Sequence, residues 1–144
     1  MKRIDRSAIV EASADQVYAL VDDIEAYPQF LPWCKEAQVL SRGAAGTRAT
    51  LTAGMGGLRQ SFTTLNQGRP PESIEMRLVQ GPFRHFAASW RFTPLSAGAC
   101  KVAFSLEYEF ASRAIGKLLE PLFHSIADTM VDAFTRRATQ RHAS

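Results

Sequence analysis

Between Cys34 and Phe110 the sequence alternates with a period of two, and over residues 112–141 the apolar positions recur at helical spacing. The first period builds half-buried strands and the second an amphipathic helix, so the chain must lay a sheet against a long C-terminal helix. The clearest strand is Cys100–Phe110 (CKVAFSLEYEF), whose even positions are mainly large and apolar and whose odd ones are mostly polar. Phe86, Ala88, Trp90 and Phe92 alternate in the same way, as do Ile74, Met76 and Leu78. Strands over about 46–54 and 58–66 put Ala49, Leu51 and Ala53, then Leu58 and Phe62, on one face. Gly-rich and Pro-rich segments between these runs supply the turns of an antiparallel sheet with one wet and one apolar face. Met76, Trp90, Phe92, Phe104 and Leu106 are expected to point inward; Arg91, Lys101 and Glu107 face solvent.

The N-terminal third adds a strand over residues 2–10 and two helices. Ser13 and Gln16 have the spacing of a capping box, and Val17, Leu20, Val21 and Ile24 follow at helical spacing, predicting a helix over about 13–24. Pro28 suits the first turn of a second, short helix, where its missing N–H costs nothing. In the last helix Ile115, Leu119, Leu122, Ile126, Met130 and Phe134 form one stripe, and Pro121 is expected to kink it or start it afresh. The whole, residues 1–144, is expected to be one α+β domain.

Six or seven strands at about 4.8 Å spacing make a sheet roughly 30 Å wide. One helix of about 10–12 Å diameter cannot cover it. Curvature, a ligand, or the uncharged segment AYPQFLPWC at 26–34 must fill the rest. That segment is therefore either core or a lid over an apolar space.

The residues exclude most chemistry. Cys34 and Cys100 lie far apart, and His85, His124 and His142 fall on a strand, a helix and the extreme C-terminus, none at metal-ligand spacing. No nucleophile elbow or phosphate loop is present; Gly54-Met55-Gly56-Gly57 joins two strands and does not lead into a helix. No catalytic cofactor and no metal are expected. No apolar run approaches the roughly 18 residues of a membrane span, and the N-terminus lacks the apolar core of about 7–15 residues of an export signal. A cytoplasmic location is expected. Residues 42–101 carry eight basic side chains against Glu72 and Glu75, which suits a solvated sheet face and is compatible with nucleic acid or anionic lipid. The basic residues Arg136, Arg137 and Arg141 suit the helix dipole.

YPQFLPWC at 27–34, GPF at 81–83, WRFTPL at 90–95, VAFSLEYEF at 102–110 and MVDAFTRRA at 130–138 resemble the coenzyme Q-binding START-domain family. This is a branch of the polyketide cyclase/START superfamily whose bacterial members include ribosome association toxins. The resemblance implies a helix-grip (START/Bet v 1-like) fold: a curved antiparallel sheet of about seven strands wrapped around the C-terminal helix, with two short helices between strands 1 and 2. It implies a non-catalytic protein that binds ubiquinone or a similar hydrophobic molecule and supports respiratory electron transport as a quinone chaperone. A peripheral contact with the inner membrane is compatible with it. The same family implies a second reading, binding of the large ribosomal subunit to block subunit association, and the fold also serves aromatase/cyclases.

By resemblance, Tyr27, Phe30, Leu31 and Trp33 lie near the cavity mouth and Phe83 and Trp90 on or near its wall. The inward alternation adds Leu51, Phe62, Met76 and Phe104, and the helix is expected to contribute Leu119, Phe123 and Met130.

Overall fold

The computed structural model describes the backbone of residues 1–143 and the side chains of residues 1–140, so those of Arg141 and His142 lie outside the described set. The chain runs β1 (Lys2–Val10), α1 (Ala14–Asp22), a 3-10 helix (Ile24–Gln29), β2 (Cys34–Gly43), β3 (Gly46–Met55), β4 (Leu58–Arg69), β5 (Ser73–Gln80), β6 (Phe83–Ser96), β7 (Ala99–Phe110) and α2 (Arg113–Ala143). The seven strands form one antiparallel sheet in the order β1-β7-β6-β5-β4-β3-β2. Consecutive strands pair from β2 to β7, and β1 closes on β7, so α1 and the connector cross the apolar face to reach the opposite edge. Register shifts that add a residue in β2, β5 and β6 bend the sheet around α2.

The alternation holds. Ile74 pairs with Trp90, Trp90 with Phe104 and Ala88 with Leu106, so the apolar set shares the inner face. Trp90, Phe92, Phe104 and Leu106 are buried and Met76 half-buried, whereas Arg91 and Lys101 are exposed and the Glu107 side chain is 40% exposed. On the outer face Arg3 binds Glu107 at 3.0 Å and Ser105 donates to Asp5 at 2.6 Å, joining β1 to β7. Gly46 opens β3 at φ +125°, where any Cβ would stand 2.5 Å from the Asn66 carbonyl oxygen; the tight β2–β3 turn requires glycine there.

Three local expectations need correction. The helix over 13–24 is shorter: α1 ends at Asp22, and Ile24 already belongs to the 3-10 helix. Pro28 sits in the last turn of that second helix and not in its first. Its ring is exposed, so the carbonyl it leaves without a donor can take one from water. Pro121 does not start a new helix, because α2 continues through it. It too is exposed, so the missing main-chain hydrogen bond falls on the solvent side, where water can substitute.

Ser13 caps α1 as its spacing requires. Its hydroxyl accepts from the Gln16 N–H at 3.2 Å, and the Gln16 side chain accepts from the Ser13 N–H at 2.8 Å. Val17, Leu20 and Val21 are thereby held on the buried face. Ser13→Ala should lower the urea unfolding free energy by about 1 kcal/mol. Replacing the adjacent exposed Asp15 by Asn serves as control, because it leaves both cap hydrogen bonds in place and should cost a few tenths of a kcal/mol at most.

Candidate functional site

Between sheet and helix the interior is built of rings, in two groups. At the end of the sheet where β7 stops and α2 starts, Phe83 is the hub. Its ring centre lies 5.0 Å from Phe123, 5.2 Å from Phe86 and 5.3 Å from Phe110, with Tyr108 and Phe62 each at 6.4 Å. Nearer the C-terminal half of α2, Phe134 is the hub, 5.0 Å from Trp90, 5.1 Å from Phe30 and 5.2 Å from Tyr27. Trp90 in turn lies 4.8 Å from Phe104. Most of these contacts are edge-on or tilted, the favourable arrangements for aromatic pairs.

The connector AYPQFLPWC turns its prolines outward and its rings inward. Tyr27, Leu31 and Trp33 are buried, Phe30 is half-buried, and Pro28 and Pro32 are exposed. The Tyr27 hydroxyl donates to the Val21 carbonyl, and the Trp33 carbonyl accepts from the Gly54 N–H at 2.8 Å, tying the connector to α1 and to β3. The Phe30 N–H donates to the Tyr27 carbonyl at 3.2 Å, and its half-buried ring rests on neighbouring side chains. It lies against Phe134 on one side and under the Arg137 guanidinium, 5.3 Å from its ring centre, on the other. Arg137 also donates to the Gln29 side chain at 2.9 Å. A cleft of about 350 Å³ opens here between Gln29–Pro32 and the last turns of α2. Two buried polar atoms at the connector have no hydrogen-bond partner among the described residues: Arg137 Nε at its outer side, and the indole Nε1 of Trp33, a residue 3% exposed.

Leu51, Phe62, Phe83, Trp90, Phe104, Phe123 and Met130 all reach the contiguous core. Leu119 is buried but stands apart from it, and Met76 packs against it from a half-buried position. Sequence reasoning left Phe86, Tyr108, Phe110 and Phe134 out of the site, although all four follow the inward alternation or the helix stripe. Phe83 and Phe86 differ by three residues yet share the inner face, because the register shifts between Phe83 and His85.

Apart from the Tyr108–Glu120 hydrogen bond at one end, the interior's polar groups among the described residues are few. Besides the tyrosines, Trp33 and the thiols, its buried polar side chains are Thr47 and Thr64, and Thr64 donates to Asn66 at 2.7 Å. Burial pushes the Cys34 thiol up to about 11 and raises that of Cys100, away from the reactive thiolate. Among the described residues no group of three or more His, Cys, Asp or Glu side chains is placed to hold a metal. Nor is any helix long and apolar enough to cross a membrane.

The chain matches the family described as polyketide cyclase/dehydrase and lipid transport over residues 10–135. It is 44% identical over 140 residues to the ribosome association toxin RatA of Vibrio cholerae serotype O1, covering 97% of each chain. It is 30% identical over 143 residues to the mitochondrial coenzyme Q-binding protein COQ10 homolog B of Xenopus laevis, covering 95% of this chain and 59% of that one. A solved START superfamily protein from Mycobacterium smegmatis superposes with a TM-score of 0.80 at 25% identity, covering 96% of this chain and 97% of the other. The aromatase/cyclase Zhui from Streptomyces sp. R1128 superposes with a TM-score of 0.82 at 20% identity, over 97% and 94%, a likeness of fold. The chain thus belongs to the polyketide cyclase/START superfamily and has its helix-grip fold, with RatA-named proteins among its relatives.

All three tyrosines, Tyr18, Tyr27 and Tyr108, have their phenols raised above the ordinary value of 10, in each case chiefly by burial. Tyr108, whose hydroxyl donates to Glu120 at 3.2 Å, is pushed up to about 12. A phenol raised in the folded state contributes stability that is complete below the unfolded value and lost as pH rises through the folded one. The folded protein should therefore show little phenolate absorbance at 295 nm just above pH 10, and should lose stability as pH climbs from 10 towards 12. Full phenolate absorbance at pH 10.5 with an intact circular dichroism spectrum would contradict the burial of these rings.

Proposed function

We propose that this protein binds a ubiquinone-like hydrophobic molecule between sheet and α2 and carries it without catalysis, in support of respiratory electron transport. The observation that carries this reading is the Trp33 indole: a donor buried in the apolar core without a protein acceptor among the described residues. Native interiors rarely leave such a group unpaired, since the loss costs about 1–3 kcal/mol. A quinone supplies what is missing, with an apolar body to replace ring–ring contacts and a carbonyl oxygen to accept from Nε1. The interior lacks the acid–base groups that a cyclase needs, which favours binding over turnover. Relationship to a coenzyme Q-binding protein supports the same ligand class. Access runs through the connector, where the half-buried Phe30 ring lies between Phe134 and Arg137.

Titration with a short-chain ubiquinone, followed by tryptophan fluorescence, tests this. Phe30→Ala should weaken binding roughly ten- to a hundredfold, from about 1.5–3 kcal/mol of apolar contact at about 1.4 kcal/mol per decade. Trp33→Phe keeps a ring but removes the donor, and a net hydrogen bond of about 0.5–1.5 kcal/mol makes its cost about tenfold or less. Unchanged affinity in both variants, with a collapsed melting temperature, would mean that residues 26–34 are core and nothing more.

A second reading is association with the large ribosomal subunit, which would block subunit joining. It is favoured by full-length relatives named ribosome association toxin at 40–44% identity. Arg77 and Arg91 stand exposed on the outer face of the sheet without ion-pair partners among the described residues, and Arg59 lies 4.0 Å from Glu36. Overexpression should then deplete joined ribosomes in a sucrose gradient. Charge reversal at Arg59, Arg77 and Arg91 should restore them, because phosphate contacts dominate such affinity. An unchanged gradient on overexpression removes support for this reading.

A further inference from the structure

At the end of the sheet opposite the β2–β3 turn, β1 begins, β7 ends and α2 starts, and these three elements surround a cleft of about 550 Å³. Its floor is Phe110, which stacks on Phe83 and so continues the interior ring cluster to the surface. Gly116 lets the first turns of α2 come close to that ring: a Cβ there would already touch Phe110 at 3.4 Å. Four cations rim the cleft. Lys2 is bound to Glu120 and Arg84 lies 3.8 Å from Glu109, but Arg113 and Lys117 have no acidic partner among the described residues. One row further round the same helix, Ala114, Leu118 and Pro121 are exposed, with Leu118 at 61%. By register Met55, 40% exposed, closes the β3–β4 turn at this same end of the strands.

An unpaired row Arg113–Lys117 beside an apolar row Ala114–Leu118–Pro121 is the pattern of a helix lying in a charged, water-excluding interface. We propose that this end of the fold docks on an anionic lipid bilayer. Arg113 and Lys117 sit among the headgroups, Leu118 enters the acyl boundary, and the Phe110 cleft faces the membrane. Cations alone would equally suit nucleic acid. The exposed leucine decides between the two, because a polyphosphate offers it nothing while a bilayer removes it from water.

The proposal stands apart from the quinone reading, since quinone-free vesicles test the one and detergent-dispersed quinone tests the other. The experiment is co-sedimentation of the full chain with phosphatidylcholine vesicles, with and without a share of phosphatidylglycerol. Three proteins are compared: wild type, Arg113→Glu/Lys117→Glu, and Leu118→Gln, each first verified by circular dichroism and melting. Wild type should sediment with the anionic vesicles, less so as salt is raised, and not with phosphatidylcholine alone. The double reversal should lower partitioning by about tenfold or more, given about fivefold per basic residue near such a surface. Leu118→Gln, at a largely exposed position with little packing to lose, should lower it at least about threefold. Absence of sedimentation, or unchanged sedimentation in either variant, overturns the proposal. Loss with the charge reversal alone, accompanied by retention on immobilised tRNA, would assign the surface to RNA instead.

Discussion

A seven-stranded sheet exposes more apolar surface on one face than a single helix can shield, and the rest of this structure answers that shortfall. Register shifts curl the sheet toward α2. The helix α1 covers the β6–β7 side, where Tyr18 packs edge-on to Phe92 at 5.8 Å. The far side, toward β2 and β3, is covered by the 3-10 helix and the rest of the connector. The connector's Tyr27, Leu31 and Trp33 share the buried core with small inner-face residues, Ala49 and Ala53 among them. Small residues on the sheet and large ones on the connector are two halves of one packing solution. An uncharged, proline-punctuated segment therefore occurs where a solvent-facing linker would ordinarily lie.

The same geometry separates the chemistry of the two faces. Ionisable side chains collect on the outer face and at the helix surface, where exposed pairs such as Arg3–Asp5 and Arg136–Asp132 contribute little to stability. The inner face holds almost nothing that can titrate near neutrality, and its phenols and thiols are moved further from it by burial. An interior of this kind can hold a molecule through area and a single hydrogen bond.

Much of the fold was legible because the period-two signal is strong wherever one face is wet: β5, β6 and β7 all lie where the alternation puts them. What escaped were places where the phase breaks. The shift between Phe83 and His85 hides the fact that Phe83 and Phe86 are neighbours, and so hides the ring cluster they share with Phe110 and Phe123. The prolines were misleading for a related reason. Proline costs a helix interior about 3 kcal/mol through the lost donor and the ring's clash with a carbonyl, yet both Pro28 and Pro121 are tolerated where they face water. Exposure of a single ring is not readable from a one-dimensional pattern. The connector's burial was legible from its composition, but composition could not say how deeply each of its rings is buried.

That distinction determines what can move. Tyr27 is fixed by its hydroxyl on Val21, and Leu31 and Trp33 are fixed by main-chain bonds, Leu31 N–H to the Tyr27 carbonyl at 3.0 Å and Gly54 N–H to the Trp33 carbonyl at 2.8 Å. The Phe30 N–H shares that Tyr27 carbonyl at 3.2 Å, but its half-buried ring rests only on the Tyr27 and Phe134 rings and under Arg137, which is itself held by Gln29. Rotating Phe30 outward breaks no backbone hydrogen bond of a strand. It exposes one ring and releases one cation–π contact, worth about 0.5–1 kcal/mol at an exposed site. Swinging out Trp33 instead would require peeling the start of β2 from β3, where Cys34 pairs with Ala53. Of the two rings, the half-buried Phe30 is the cheaper to expose and the buried Trp33 the dearer. On the proposed quinone-binding reading, a ligand entering here would meet Phe30 first and the Trp33 indole N–H second.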